Sequence, residues 1–316
     1  MKALVTGGAG FIGSHIVDRL LTDGHEVIVL DDFSTGHKEN LAQHQSLGIV
    51  EGDVRDANTV NQCMQGVDWV FHKAAVASVP KTVNDPVGSS AVNYQGTLHI
   101  LEAARQNGVK RVVFASSAAL YGDEPTLPKD ETMLPVTLSP YAVDKLASEY
   151  ACGMYTRLYG LETVALRYFN VYGPRQDPSS PYSGVISIFA DRLNQGITPT
   201  IFGDGEQTRD FVFVSDVVEA NMRAVTRDAP VGQVINIATG HKITLNELLK
   251  AFCGIKQMAF DADYQQARAG DIKESFANVA RAAELLDWKA GVELEQGLHA
   301  LLQDEYAPQR RRGFHG

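Results

Sequence analysis

The 316-residue sequence predicts an α/β protein whose main part is a doubly wound parallel sheet, with a smaller α/β lobe in the C-terminal part of the chain. Two observations predict this class. Apolar runs of strand length alternate with segments of helical spacing over the first half of the chain. A glycine-rich turn joins the first of these strands to the first helix. Continuous apolar strands that alternate with helices indicate a parallel sheet covered by helices on both faces.

Strands and helices alternate from the first residues onward. The six predicted strands are "KALVTG", "EVIVLDD", "GIVEGDV", "VDWVFHKAA", "KRVVFASS" and "ETVALRYFN". The predicted helices cover residues 11–23, a polar stretch before "VDWVF", residues 87–107 and the segment "SPYAVDKLASEYACGMYTRLYG". In the first helix apolar residues recur at the helical spacing, and Gly24 ends it as a left-handed cap would.

The rest of the chain is less regular and predicts the smaller lobe. The segment "TLNELLKAF" begins with a capping box, Thr244 with Glu247, and residues 171–209 are rich in Gly, Pro, Asp and Ser. We therefore expect a sheet domain that covers residues 1–170 with a contribution from residues 210–238. The substrate-binding lobe is expected to cover residues 171–209 and 239–302. Residues 303–316 are expected to form a tail.

The composition argues against several classes of partner. The hydrophobic fraction of 44% and the charged fraction of 21% are typical of a globular protein in water. No apolar run approaches the roughly 20 residues of a membrane span, and the first residues do not resemble a signal peptide. The net charge of −10 argues against nucleic acid. Three widely spaced cysteines, Cys63, Cys152 and Cys253, predict reduced thiols in the cytoplasm and no metal site.

The glycine-rich turn "GGAGFIG" predicts a dinucleotide site. Gly7, Gly10 and Gly13 have the spacing that lets backbone amides approach a pyrophosphate at the start of a helix. Asp31 ends the second strand at about the distance expected for the acid that binds the ribose hydroxyls. Asp32 follows it and no arginine is adjacent, which favours NAD over NADP. The sequence offers two roles for Asp53 and favours neither: a contact with the adenine amine, or the N-cap of the next helix.

The segment "SPYAVDK" predicts a proton-transfer site. Tyr141 and Lys145 are four residues apart, on one face of the predicted helix. Ser116 and Ser117 end a parallel strand, at the edge where open α/β sheets bind ligands. We expect Lys145 and a positively charged nicotinamide to lower the pKa of Tyr141 from its ordinary value of about 10, as a general base requires. A surface pair and turn-capping serines are the alternatives.

A longer set of segments carries a family resemblance. They include "TGGAGFIGSH", "DDFSTG", "FHKAAVASV", "SSAALYG", "LRYFNVYGPRQDP" and "IFGDGEQTRDFVFVSDV". The chain resembles the extended short-chain dehydrogenases/reductases, and among them the UDP-hexose 4-epimerases, to about residue 302. The resemblance implies a Rossmann-type NAD domain and a smaller C-terminal domain for the nucleotide sugar. The residues implied to contact NAD are Gly7, Gly10, Phe11, Ile12, Gly13, Asp31, Asp32, Phe33, Ser34, Asp53, Val54, Ala74, Ala75, Tyr141, Lys145 and Tyr168.

The resemblance also implies the catalytic and substrate-binding residues. Tyr141 is the implied base, Lys145 its partner, and Ser117 the hydroxyl that binds the sugar O4. The other implied substrate contacts are Asn170, Arg209 and Arg268 at the diphosphate, Phe202 at uracil, Asp271 at the uridine ribose, and Ser275, whose position is a bulky tyrosine in epimerases confined to non-acetylated sugars. Three alternatives stay open: Phe202 as a core residue, Arg209 paired with Asp210 or Asp216, and Ser275 exposed to solvent or packed locally.

The implied reaction is the NAD-dependent 4-epimerisation of UDP-hexoses: UDP-glucose with UDP-galactose, and through Ser275 also UDP-GlcNAc with UDP-GalNAc. A 4,6-dehydratase needs an acid pair where this chain has Ala118 and Ala119. A UDP-glucuronate decarboxylase or epimerase and a non-catalytic NAD-sensing protein are the remaining alternatives. Helices 87–107 and 141–159 resemble the pair that forms the dimer interface in this family, which implies a homodimer.

Overall fold

A computed structural model describes residues 1–177, 184–267 and 272–303. The strands are β1 Lys2–Thr6, β2 Glu26–Asp31, β3 Leu47–Glu51, β4 Trp69–His72, β5 Arg111–Ser117, β6 Glu162–Tyr168, β7 Asn170–Tyr172, β8 Thr200–Phe202, β9 Thr208–Arg209, β10 Phe211–Phe213, β11 Val234–Ile237, β12 Ile243–Thr244 and β13 Asp263–Gln265. The α-helices are α1 Phe11–Thr22, α2 Ala57–Cys63, α3 Val79–Asn84, α4 Pro86–Ser90, α5 Gly96–Gln106, α6 Pro140–Tyr159, α7 Val185–Asn194, α8 Val214–Thr226, α9 Leu245–Ile255, α10 Ala280–Leu286 and α11 Leu294–Leu302.

Seven parallel strands form the main sheet in the order β3-β2-β1-β4-β5-β6-β11. The chain winds outward from β1 in one direction to β3 and from β4 in the other, so the strand order reverses between β1 and β4. A ligand site is expected at the carboxyl ends of the strands at such a reversal. The predicted fold class, a doubly wound parallel sheet of the Rossmann type, is confirmed.

Each face of the sheet has its own apolar core. Ala3 and Val5 of β1 point to the side covered by α1 and α8, and Leu4 points to the side covered by α2, α5 and α6. This alternation is the two-residue period of a strand buried on both faces. A third core, which includes Phe189, Ile201 and Phe252, joins α7, β8 and α9 in the C-terminal lobe.

Two predicted helix ends are confirmed. Gly24 follows α1 with a φ of 80°, as a left-handed cap does. Helix α6 fills its predicted segment, and Ser139 caps its start and Gly160 its end. The capping box of Thr244 and Glu247 is present at the start of α9. Because these caps are local, the sequence alone reveals them.

The single helix predicted over residues 87–107 is wrong in one respect. The structure replaces its centre by a π-helical turn, Ala91–Gln95, between α4 and α5. In this turn the side chain of Asn93 accepts a hydrogen bond from the amide of Val76 at 2.8 Å and donates to the Val76 carbonyl at 3.2 Å. The π turn therefore places Asn93 to hold the loop that follows β4.

Among the helices of the described residues, none is long and apolar enough to cross a membrane.

Candidate active site

The glycine turn lies against the chain that leaves β4. Gly7 has a φ of 65°, and a Cβ at this residue would lie 2.7 Å from the amide nitrogen of Ala74. A side chain at Gly13 would overlap the carbonyl of Gly7. The glycines therefore allow three backbone segments to meet: the end of β1, the start of α1 and the loop after β4.

The start of α1 is open to an anion. Gly10 is the N-cap and makes no side-chain capping bond, and the first turn carries no acidic residue. The first amides of a helix, here those of Phe11 and Ile12, have no carbonyl partner within the helix and lie at its positive end. A negatively charged pyrophosphate group fits these amide donors, whereas a cation does not.

The Asp31 carboxylate joins the end of β2 to the glycine turn. It is buried and accepts hydrogen bonds from the amides of Ala9 and Phe33, each at 2.9 Å. Each carboxylate oxygen keeps a lone pair that can accept from a ribose hydroxyl. Burial raises the pKa of Asp31. The neighbouring Asp32 is exposed and accepts from the amide and hydroxyl of Ser34.

Asp53 does not cap the next helix. The N-cap of α2 is Asp56, which accepts a hydrogen bond from the amide of Asn58. Asp53 instead accepts from the amide and the guanidinium of Arg55, each at 2.8 Å. Arg55 thereby lowers the pKa of Asp53. The capping alternative is therefore wrong, and the adenine contact of Asp53 stays a prediction. Val54 beside it is buried.

Ser117, Tyr141 and Lys145 converge at the carboxyl end of β5. Tyr141 is half-buried and its hydroxyl forms a hydrogen bond with Ser117. The Ser117 hydroxyl also accepts a hydrogen bond from the amide of Ala119 at 3.1 Å. The Lys145 Nζ donates to the carbonyl of Ala115 at 2.7 Å and lies 5.7 Å from the centroid of the Tyr141 ring.

The pKa of Tyr141 departs from its ordinary value in the direction opposite to the one expected. Burial raises it, and the hydrogen bond with Ser117 opposes that effect only in part. The pKa of Lys145 is lowered to about 8, chiefly by burial. Burial therefore disfavours the charged form of both groups. A phenol and a hydroxyl in hydrogen-bond contact can transfer a proton at this edge of the sheet.

Lys73 belongs to the same edge, and the sequence analysis missed it. Its Nζ donates to the hydroxyl of Tyr168 at 2.9 Å. That hydroxyl also exchanges hydrogen bonds with the side chain of Asn221, at 2.8 and 3.0 Å. The Tyr168 hydroxyl is thus fully used inside the protein, and the ring remains for a ligand contact. The signal was a lysine directly after the apolar strand "VDWVFH", where the half-buried Ala74 and Ala75 follow.

A buried ion pair lies beside the site, and the sequence analysis missed it as well. Glu149 of α6 accepts from the guanidinium of Arg167 at 2.9 and 2.8 Å. The same carboxylate accepts from the hydroxyl of Ser116 at 2.5 Å. Helix α6 is therefore fixed to the ends of β5 and β6 next to Ser117.

Three predicted substrate residues meet at one short segment, Thr208–Asp210. The Asn170 side chain donates to the carbonyl of Asp210 at 3.1 Å, and the Ser275 amide donates to the carbonyl of Thr208 at 3.2 Å. Arg209 lies between these two carbonyls in the chain, and its Nη1 also donates to the Ile272 carbonyl. Arg268 and Asp271 lie outside the described residues.

Two alternatives from the sequence are not what the structure shows. In β8 it is Ile201 that is fully buried in the core, while Phe202 is half-buried. The carboxylate of Asp210 accepts hydrogen bonds from the amides of Thr239, Gly240 and Ala277, and that of Asp216 from the amide of Val292. These acids bind other segments of backbone and do not pair with Arg209.

Comparisons with known proteins identify the family of the chain. Residues 3–238 match the model of the NAD dependent epimerase/dehydratase family. A UDP-glucose 4-epimerase of Mycolicibacterium smegmatis is 42% identical over 303 residues, which cover 94% of this chain and 96% of the relative. A UDP-N-acetylglucosamine 4-epimerase from Methanobrevibacter ruminantium, solved in complex with UDP-N-acetylmuramic acid, has a TM-score of 0.92 at 39% identity, over 96% of this chain and 97% of that one.

A second solved structure contains the cofactor. A UDP-glucose 4-epimerase from Thermus thermophilus, solved as a complex with NAD, has a TM-score of 0.88 at 39% identity, over 96% of this chain and 98% of that one. The family match covers well over half of the chain, and it includes the glycine turn, Ser117, Tyr141 and Lys145. The chain therefore belongs to the NAD-dependent epimerase/dehydratase family.

Proposed function

We propose that this protein is a NAD-dependent 4-epimerase of UDP-hexoses, which inverts the sugar C4 by transient oxidation. The observation that carries the proposal is the convergence of Ser117, Tyr141 and Lys145 at the sheet edge that also carries the glycine turn. The match to relatives named as UDP-glucose and UDP-N-acetylglucosamine 4-epimerases supports it.

The residues at the strand-order reversal fit NAD. The pyrophosphate would lie at the start of α1, against the glycine turn and the amides of Phe11 and Ile12. Asp31 would accept hydrogen bonds from the adenosine ribose, and its charge would repel a 2′-phosphate. The rest of the proposed NAD contacts are Gly7, Gly10, Gly13, Asp32, Phe33, Ser34, Asp53, Val54, Ala74, Ala75, Tyr141, Lys145 and Tyr168. When bound, NAD supplies the acceptor and then the donor of the C4 hydride.

The chain's own residues move the proton. In this proposal the ionised oxygen of Tyr141 accepts the proton of the sugar 4-hydroxyl, and the Ser117 hydroxyl holds the sugar oxygen. After the hexose turns over, Tyr141 returns the proton to the new C4 oxygen. Lys145 holds the end of β5 through the Ala115 carbonyl and adds positive charge beside the phenol.

The C-terminal lobe would hold the nucleotide end while the hexose turns. Arg209 lies within the segment Thr208–Asp210, and the Asn170 side chain binds the Asp210 carbonyl at the end of that segment. Both side chains would bind the diphosphate there. Phe202, half-buried on β8, would stack on uracil, and its carbonyl is fixed by Gln207 at 2.7 Å. Arg268 and Asp271 are proposed for the diphosphate and the uridine ribose from the resemblance alone.

We propose further that N-acetylated UDP-hexoses are substrates. Ser275 is small and half-buried, and its amide donates a hydrogen bond to the carbonyl of Thr208, next to Arg209 in β9. A small side chain at this position would leave room for a 2-acetamido group. The structural neighbour named as a UDP-N-acetylglucosamine 4-epimerase supports this reading.

A homodimer is proposed from one face of α6. Val143, Tyr150 and Leu158 are exposed and recur at seven and eight residues, which places them on one side of the helix. An apolar stripe of this kind is typical of a helix that packs on a partner. Light scattering of the wild type and of Tyr150→Glu tests the state: the variant should be monomeric, and a monomeric wild type would contradict the dimer.

A direct assay tests the reaction. Purified protein is incubated with UDP-glucose, UDP-galactose and their N-acetylated counterparts, without added NAD, and the products are separated by their C4 configuration. The C4 epimer should form in each case. A dehydrated product would favour a related reaction on the same scaffold, although Ala118 and Ala119 after Ser117 offer no acid for dehydration.

A further inference from the structure

Lys73 is half-buried, and the proposed reaction does not use its amine. The register of β4 and β5 ends with the pair His72 and Phe114, after which the amide of Ala74 donates to the Thr6 hydroxyl instead of to β5. The Lys73 side chain follows this last pair and turns into the sheet edge. Its Nζ donates to the Tyr168 hydroxyl at 2.9 Å and approaches the Val113 carbonyl at 3.4 Å.

A second amine lies on the same strand. Lys145 donates to the carbonyl of Ala115, two residues beyond Val113 along β5. Among the described residues, neither lysine forms an ion pair with a carboxylate. The titratable groups that face Lys73 are Lys145 from α6, His72 from its own strand and Tyr168 from β6, and none of them is an acid that is ionised at neutral pH.

The surroundings make the charge of Lys73 sensitive to any other charge at this edge. Burial and the repulsion of Lys145 hold the pKa of Lys73 well below its ordinary value. A positive group added nearby lowers the pKa of such an amine further, and loss of that group raises it again. An oxidised nicotinamide ring is positively charged and a reduced one is neutral. In a site of low polarity this difference of one charge acts strongly.

We propose that Lys73 is a redox-positioning residue: its amine takes up a proton from solvent when a nicotinamide cofactor bound at this sheet edge is reduced, and the protonated amine stabilises the reduced cofactor. The inference rests on the proposed function only in that NAD binds here. The balance is simple. Reduction of NAD⁺ to NADH consumes two electrons and one proton. The neutral amine of Lys73 takes up a second proton from solvent, which forms the third N–H bond of the ammonium and carries its positive charge. The reduced cofactor would therefore be favoured by an amount that depends on pH.

The test is a reductive titration of the bound cofactor from pH 6 to 9, followed by absorbance of the reduced ring. The Tyr141→Phe background removes the competing phenol. For a two-electron couple, uptake of one proton changes the ratio of reduced to oxidised cofactor about tenfold per pH unit, and uptake of two protons about hundredfold, about 30 and 60 mV. We expect two-proton behaviour with Lys73 present and one-proton behaviour in Lys73→Gln, which keeps a donor for Tyr168.

Two further variants complete the design. Lys81→Gln removes an exposed lysine of α3 and should show the same two-proton behaviour as the parent. Lys73→Arg keeps a charge that does not titrate, and should give one-proton behaviour with the reduced cofactor at least tenfold more favoured than in Lys73→Gln, about 30 mV.

The outcomes separate the two proposals. If Lys73→Gln and its parent share one slope and one midpoint at every pH, the inference about Lys73 is overturned while the cofactor site stands. If the purified parent binds no nicotinamide cofactor at all, the proposed function fails before Lys73 is tested. Two-proton behaviour that persists in both Lys73→Gln and Lys73→Arg assigns the second proton to another group, such as Lys145, and also overturns the inference.

Discussion

The ammonium of Lys145 lies 5.7 Å from the centre of the Tyr141 ring, one helical turn along α6, and is held there by the carbonyl of Ala115. The two side chains are therefore neighbours without a direct hydrogen bond between them. Burial raises the pKa of the phenol and lowers that of the amine to about 8. The protein alone thus disfavours the charged form of both groups, and this cost bears on activity and on stability.

Tyr141→Phe should abolish most epimerase activity while the fold and the bound NAD are retained. The substitution removes only the oxygen that forms the hydrogen bond with Ser117. Loss of a general base typically costs a factor of about 10²–10⁴ in rate. The measurement is kcat with UDP-galactose, together with the NAD content of the purified protein. Tyr150→Phe removes an exposed hydroxyl from the same helix and serves as the control. Near-normal turnover by Tyr141→Phe would refute the assignment.

The buried amine of Lys145 should make the stability of the cofactor-free protein depend on pH. Its pKa is about 8 in the folded protein and near its ordinary value of 10.5 in the unfolded chain. Between these values the unfolded chain binds more protons, so the free energy of unfolding rises with pH. At pH 7 the cost of charging the folded amine is roughly 3 kcal/mol, at about 1.4 kcal/mol per pKa unit.

Lys145→Met removes this cost. The difference in free energy of unfolding between the variant and the wild type should fall by roughly 3 kcal/mol from pH 7 to pH 11, measured by urea unfolding. Lys38→Met replaces an exposed lysine and should show a nearly flat difference. A flat difference for Lys145→Met as well would show that the folded amine titrates normally.

Asp31→Ala should weaken NAD binding and reduce the preference for NAD over NADP. The carboxylate is expected to accept from the ribose hydroxyls, and hydrogen bonds to charged groups contribute roughly 1.5–3 kcal/mol each. Because Asp31 also holds the amides of Ala9 and Phe33, the free energy of unfolding should fall too. Affinities of the cofactor-free protein for both dinucleotides are measured by calorimetry. Glu26→Ala changes an exposed acid at the other end of β2 and should alter neither the affinity for NAD nor the NAD/NADP ratio. An unchanged NAD/NADP ratio in Asp31→Ala would remove this residue from the ribose.

Breaking the ion pair of Glu149 and Arg167 should destabilise the protein strongly. Both side chains are at most 5% exposed, so the remaining charge would be buried without a partner. Removing one partner of such a pair costs roughly 3–5 kcal/mol, whereas replacing both by apolar residues is often nearly neutral. We therefore expect a large loss in Glu149→Leu and recovery of most of it in Glu149→Leu/Arg167→Met.

The same cycle has a functional readout. Glu149 accepts from Ser116, so its loss should also impair the placement of Ser117 and lower kcat. The exposed pair of Lys38 and Glu51 is the matched control, since breaking it should cost less than about 1 kcal/mol. A small effect of Glu149→Leu on the free energy of unfolding would mean that water solvates the unpaired guanidinium of Arg167, and would contradict the expected cost.

The sequence predicted the parts of the site that depend on local spacing. The glycine turn and the Tyr141 and Lys145 pair are patterns within a few residues, and a turn or a helix fixes their geometry. The contact of Lys73 with Tyr168 could not be predicted this way, because β4 and β6 are separated in the chain by β5 and the four helices α3 to α6. The π turn is another such case, since its reason is the distant loop that Asn93 binds.

The direction of the Tyr141 pKa was missed for a physical reason. The sequence shows which charges are near a group along a helix, and Lys145 was read as a charge that lowers the phenol pKa. It does not show how far the pair is buried, and in the protein alone burial is the larger effect on both groups. The acid limb of the pH profile of kcat/KM reports the pKa of the general base. It therefore measures whether a cationic cofactor reverses the direction of the Tyr141 pKa.

Ser275→Tyr should suppress turnover of N-acetylated UDP-hexoses while UDP-galactose turnover stays within a few-fold. Ser275 is half-buried, and its amide binds the Thr208 carbonyl next to Arg209, which is proposed to hold the diphosphate. With the nucleotide end held there, the 2-substituent of the turning hexose would sweep past this position. An acetamido group needs the space that a phenol ring would fill, and the serine hydroxyl can bind the acetamide. Both sugar pairs are assayed for the wild type, Ser275→Tyr and Ser275→Ala. The alanine variant keeps the space but lacks the hydroxyl, so it should retain acetylated turnover with a higher KM. If the wild type ignores UDP-GlcNAc, or if both sugar pairs fall together in Ser275→Tyr, this side chain does not select the substrate.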